Sequence, residues 1–189
     1  MSKSFNRISV DGDTSTNDMV VLMANGESKI SVDEENADFQ LFKTALADLC
    51  KKMAMEIVKD GEGATKFVSL TVASAKSEAD ANSAAKAIIN SPLVKTALNG
   101  ADANWGRILS AVGNSGINFS PEKVMIKIGG LILLNPGYIS NFNESVAKQI
   151  LLKKELDIII ELNEGEASTT WWTCDFSEEY IKINASYRN

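Results

Sequence analysis

The hydrophobic period of this chain switches repeatedly between that of a helix and that of a strand, and this constrains the fold more than any other feature. From Asn36 to Lys59 the apolar residues Phe39, Phe42, Leu46, Leu49, Met53 and Ile57 fall three and four apart, on one face of a helix that Gly61 ends. Phe67 to Ala75 then alternates apolar residues with Ser and Thr, as a half-buried strand does. Ser77 with Asp80 resembles a capping box opening an alanine-rich helix to Asn90. Ser91-Pro92 starts another helix that Gly100 stops, and Trp105, Ile108, Leu109 and Val112 form a third stripe ended by Gly113.

Beyond Pro121 the pattern becomes mainly β. Val124, Ile126 and Ile128 alternate with lysines, and Gly129-Gly130 predicts a hairpin turn into Leu131 to Asn135. A short helix follows from Asn143 to Leu152. Glu155 to Leu162 and Ala167 to Cys174 read as a second hairpin around Asn163-Glu164-Gly165, before a last helical turn near Ser177 to Ile183. At the other end, Asn6 to Val10 reads as a short strand, Asp11 to Asp18 as a polar loop, and Met19 to Ala24 as an apolar strand closed by Asn25-Gly26. Hairpins imply antiparallel pairing. The expected class is therefore α+β, mixed α/β layers with antiparallel hairpins, rather than a doubly wound parallel sheet.

Composition removes several chemistries. With 44% hydrophobic and 23% charged residues in 189, the chain can bury a sizeable core. It has no histidine, which excludes a Ser-His or Cys-His pair and an imidazole metal ligand. Two cysteines, Cys50 and Cys174, cannot form a four-thiolate zinc site or a disulfide scaffold, and no metal or cofactor is expected. Both read as buried, inert thiols. The net charge of −6, spread evenly, disfavours a nucleic-acid or anionic-membrane partner. The most apolar run, Ile128 to Leu134, contains two glycines and is far shorter than the ~20 residues of a spanning helix. Met1 to Val10 has no signal-peptide core, so a cytoplasmic location is expected.

Three stretches could carry chemistry. Asp11 to Asp18 packs three carboxylates and three hydroxyls into eight residues, but an EF-hand requires Gly and Glu where this loop has Thr16 and Leu22. Bonding of these side chains to local backbone is the better reading. Asp60 to Lys66 is glycine-rich yet lacks the spacing and the strand-to-helix order of a P-loop. Within it Glu62 stands between two glycines that cannot cover it, well placed to receive a cationic ligand group. In Asn104-Trp105-Gly106-Arg107, Trp105 reads as core and Arg107 as solvated or paired.

Ser4 to Asp18, Asp60 to Lys66, Asn104 to Arg107, and the tail Cys174-Asp175 with Tyr180 to Arg188 together resemble the ornithine acetyltransferase family, also described as bifunctional glutamate N-acetyltransferases of arginine biosynthesis. The resemblance spans the whole chain. It implies the β-chain part of a precursor that cuts itself into α and β chains, the freed threonine becoming the nucleophile. Acetyl would pass from N2-acetylornithine to that threonine and on to glutamate, the threonine's own amine serving as base. The same likeness places Ser4 some way into the family's β chain, with the nucleophile and the α chain outside these residues. No residue here is therefore expected to be catalytic, and the chain alone is expected to be inactive.

By the same likeness Glu62 binds the substrate ammonium, Asn184 reaches the pocket from the tail, and Asn189 stands where the family usually has a terminal hydroxyl residue. Residues 1–120 would continue the catalytic α/β domain, and 121–189 would form a smaller C-terminal region whose tail reaches the pocket. The partners implied are N-acetylornithine and glutamate, an α chain or N-terminal half, and a homo- or hetero-oligomer. The alternative is a non-catalytic truncated or split module for binding or assembly. A phosphate- or nucleotide-binding enzyme built on Gly61 to Lys66 is the weakest reading.

Overall fold

A computed structural model describes residues 1–30, 33 and 37–186. A 3-10 turn, Phe5–Arg7, leads into β1 (Ile8–Ser9). There follow α1 (Ala37–Lys59), β2 (Phe67–Ala75), α2 (Glu78–Ile89), α3 (Pro92–Asn99) and α4 (Trp105–Gly113). Then come β3 (Met125–Ile128), β4 (Leu131–Leu134), α5 (Glu144–Leu151), β5 (Glu155–Glu161), β6 (Ala167–Cys174) and α6 (Glu178–Ser186). The caps act as their sequences dictate: Ser77, Ser91, Asn104 and Asn143 each accept a backbone N–H at the start of their helix. Among the described residues no helix is long and apolar enough to cross a membrane.

The six strands form one mixed sheet in the order β1-β6-β2-β5-β3-β4. β2 is central: it runs parallel to β5 and antiparallel to β6, so the sheet joins strands from both sides of residue 120. Its alternating Val68, Leu70 and Val72 are at most 1% exposed and face the main core, which β5 completes with Leu156, Ile158 and Ile160. Burying each such side chain is worth about 1.5–3 kcal/mol. α2, α3, α4 and α5 contribute to this core. On the other face, Val58 of α1 packs with Phe67, Trp172 and Cys174.

The hairpin at Gly129-Gly130 forms as the sequence predicts, β3 pairing antiparallel with β4. The second predicted hairpin does not: β5 and β6 are separated by β2. The connection straddles the end of β2 instead of closing a turn. Leu162 N–H donates to the Ala73 carbonyl at 3.0 Å, and Glu164 and Gly165 N–H to the Ser74 carbonyl at 2.8 and 3.0 Å. Only glycine fits at Gly165, because a Cβ there would lie 2.5 Å from the Ala75 carbonyl oxygen. The extra pairing is parallel, which hairpin reasoning cannot anticipate.

Two further expectations need correction. Met19 to Ala24 forms no strand; it runs exposed, with Met23 88% accessible, and pairs with no strand of the sheet. Cys50 is only partly buried, whereas Cys174 is buried as expected. The stripe on α1 is real in period but turned outward. Leu49, Met53 and Ile57 are about half exposed, while Ala54 and Val58 are the residues that meet the sheet side.

Candidate functional site

Three stretches far apart in sequence converge at one end of the sheet: the loop after β1, the turn between α1 and β2, and the segment from the end of β6 into α6. Asp175 fixes the last two together. One of its oxygens accepts the Thr65 and Lys66 N–H groups at 2.8 Å each; the other accepts the Thr65 hydroxyl at 2.5 Å and Asn99 Nδ2 at 2.7 Å. Burial pulls this carboxyl's pKa upward, but the bonds from Asn99, Thr65 and Lys66 outweigh it and hold the group below its ordinary range. Lys66 turns its ammonium onto the Leu98 and Asn99 carbonyls, the second at 3.2 Å, at the end of α3.

Gly63 lets the turn meet α6. Its φ is +64°, and a Cβ there would lie 2.5 Å from the Tyr180 nitrogen. Ser177 Oγ donates to the Gly63 carbonyl at 2.6 Å and accepts Tyr180 N–H at 3.3 Å, joining turn and helix start. This close approach sets the side chains of Glu62 and Asn184 face to face. Asn184 Nδ2 donates to Glu62 Oε2 at 2.7 Å and to the Tyr180 carbonyl at 3.1 Å. Both side chains are exposed to solvent. Asn189 lies outside the described residues.

Tyr180 links the third stretch. Its hydroxyl donates to Asp11 Oδ2 at 3.0 Å, and its ring stacks on Phe176 with centroids 4.7 Å apart. Desolvation first, then the Asp11 bond and the charges of Asp11, Asp13 and Glu62, push its pKa up to about 12. The rest of the polar loop bonds locally, as its composition suggests: Asp11 Oδ1 accepts Asp13 N–H, and Ser15 Oγ accepts the N–H groups of Asn17 and Asp18. The site thus presents carboxylates, an amide and a tyrosine, and no nucleophile–base pair is formed by the residues assembled here. That arrangement suits recognition of an ammonium group.

Beneath it lies a residue that sequence reading passed over. Lys95 of α3 is 0% exposed; its ammonium donates to Thr173 Oγ1 at 2.7 Å and to the Cys174 carbonyl. Burial pushes its pKa down and pushes that of the neighbouring Cys174 thiol up. The available signal was a lysine within the buried run Val94, Lys95, Ala97 and Leu98. Asp175 and Tyr180 fell within the resembling tail but carried no pattern of their own. The Asn104 to Arg107 motif serves helix packing: Asn104 caps α4, and Arg107 donates to the Leu93 carbonyl at 2.9 Å.

Comparison with known proteins bears on family and fold. The ArgJ family model matches residues 1–189. The arginine biosynthesis bifunctional protein ArgJ of Caldanaerobacter subterraneus subsp. tengcongensis is 50% identical over 194 aligned positions, covering 100% of this chain and 48% of that protein. The protein of the same name from Bacillus subtilis is 48% identical, over 98% of this chain and 46% of its own length. This chain therefore spans about half the length of the curated relatives it matches. A crystal structure of the arginine biosynthesis bifunctional protein argJ from Bacillus halodurans superposes with a TM-score of 0.93 at 42% identity, over 98% of this chain and 88% of that one. With a match along its full length in sequence and nearly all of it in structure, this chain belongs to the ArgJ family.

Proposed function

We infer that this chain is the larger part of the β chain of an arginine-biosynthesis acetyltransferase, moving acetyl from N2-acetylornithine to glutamate through a threonine acyl-enzyme. The observation that carries this reading is the 2.7 Å contact of Asn184 with Glu62, held where three stretches meet. A carboxylate fixed by an amide, with Asp11 and Tyr180 beside it, is a receptor for the ammonium of an amino-acid substrate. In this reading Glu62 takes the ammonium, and Asn184 orients Glu62 and offers its own carbonyl. Asn189 would close the pocket from the tail. The catalytic α/β domain would continue through residues 1–120, with 121–189 as the smaller region that returns the tail to it. The threonine comes from a partner chain or N-terminal half, which the apolar stripe of α1 is free to receive, in the cytoplasm. That the solved relative is itself a chain little longer than this one supports such a division.

The test measures binding of L-ornithine by calorimetry to the protein assembled with its complementary chain. Glu62→Gln is expected to weaken it about 10- to 100-fold, the loss of a charge-assisted contact. Undiminished affinity in this variant would sink the reading. Acetylglutamate formation from N-acetylornithine and glutamate is expected only with the complementary chain present.

One observation favours a second reading, a non-catalytic binding or assembly module. α1 leaves Leu41, Phe42, Leu49, Met53 and Ile57 48–72% exposed, a surface suited to association whether or not chemistry follows. An assembled complex that binds ornithine but never transfers acetyl would select it.

A further inference from the structure

Lys95 is wholly buried and takes part in none of the ion pairs found among the described residues. Burying an ammonium without a carboxylate partner is costly, and a methionine would fill similar space without that cost. What the cation touches gives it a use. Besides Thr173 Oγ1 and the Cys174 carbonyl, it stands 4.7 Å from the centroid of the Phe176 ring, in cation–π geometry. Thr173 Oγ1 in turn donates to the Ser9 carbonyl at 2.8 Å, which fixes the chain two residues before Asp11. Phe176 stacks on Tyr180 at an interplanar angle of 16°. The hydroxyl of Tyr180 holds Asp11, and its carbonyl receives Asn184. The ammonium therefore stands where the segment leading to Asp11 and the segment leading to Asn184 cross.

We propose that Lys95 is a positioning residue: through the Phe176 ring and the Thr173 hydroxyl, its cation sets the Tyr180–Asp11 latch and hence the aim of Asn184 at Glu62. Its bearing on substrate rests on the ammonium-receptor reading above, but the latch can be tested without substrate. In protein carrying ring-labelled tyrosine, Tyr180→Phe identifies the Tyr180 signal. At neutral pH the exchange of the wild-type Tyr180 hydroxyl proton with water is expected to be slowed by its bond to Asp11 Oδ2. In Lys95→Met that exchange is expected to quicken about tenfold or more, the loss of a bond to a charged acceptor, as in the latch-free control Asp11→Ala. Asp11, Asp13 and Glu62, the charges that act on the phenol, are all kept in Lys95→Met, so a quicker exchange reports the opened bond.

A folded Lys95→Met protein whose Tyr180 hydroxyl exchanges as slowly as in the wild type would overturn the proposal. If that variant does not fold, Phe176→Leu decides, since it keeps the cation and removes the ring between. The same quickening is expected there, and an unchanged exchange rate again overturns the proposal. Unchanged ornithine affinity in Glu62→Gln beside a quickened Tyr180 exchange in Lys95→Met would discard the receptor reading and leave the latch standing.

Discussion

Asp175 does at one position what several residues would otherwise share, holding Thr65, Lys66 and Asn99 with both of its oxygens. Asp175→Asn replaces one acceptor oxygen with a donor facing donors. It should cost about 2–3 kcal/mol in urea unfolding, the range for bonds to a buried charge. The pH dependence follows from the lowered pKa. The unfolded carboxyl protonates first, near 3.8, so the contribution of Asp175 is intact above that pH and is lost as pH falls through its folded-state value. The variant should show a shallower loss of stability over that acid window, measured by unfolding at stepped pH. Individual residues were unevenly legible from sequence. A carboxylate between glycines announced Glu62 as a candidate, and the resembling tail announced Asn184. Asp175 and Lys95 gave no such notice, because their roles lie in partners about 110 and 80 positions away, which no local pattern encodes.

At the scale of elements, the turn before β2 and the start of α6 act as a single joint, and Gly63 is the point where they touch. Gly63→Ala would force a left-handed conformation on alanine and drive its Cβ onto the Tyr180 nitrogen. A loss of about 1–2 kcal/mol is expected from the backbone conformation alone. α6 should lift from the turn, so limited trypsin digestion should cut at Lys182 faster than in wild type, with the β2–β5–β6 sheet still protected. Helices were well read from sequence because caps, glycine stops and the 3.6-residue period are local. The β3–β4 hairpin was legible for the same reason, with its two glycines at the turn. The order of β5, β2 and β6 was not, because a strand inserted between two chain neighbours leaves no mark on either.

For the molecule as a whole, the apolar stripe of α1 is an unsatisfied helical surface. Its first part, Phe39, Phe42 and Leu46, lines a groove of about 660 Å³ against Met1 to Ser4, while Leu49, Met53 and Ile57 lie outside that groove. Leu49→Glu combined with Met53→Lys should leave stability within about 0.5 kcal/mol, since both positions are half exposed. Light scattering should then show a smaller assembled mass than for the wild-type protein; an unchanged mass would assign association to another face.

The straddled central strand has a further consequence, for the order of synthesis. β2 is made well before both of its neighbours, Phe67 pairing with Glu155 and with Cys174. Until those residues emerge from the ribosome, the central strand of the sheet has a bare edge on each side. Productive folding of the sheet must then wait until β5 and β6 have been made, and a nascent chain stalled before β5 is one that a chaperone would have to shield.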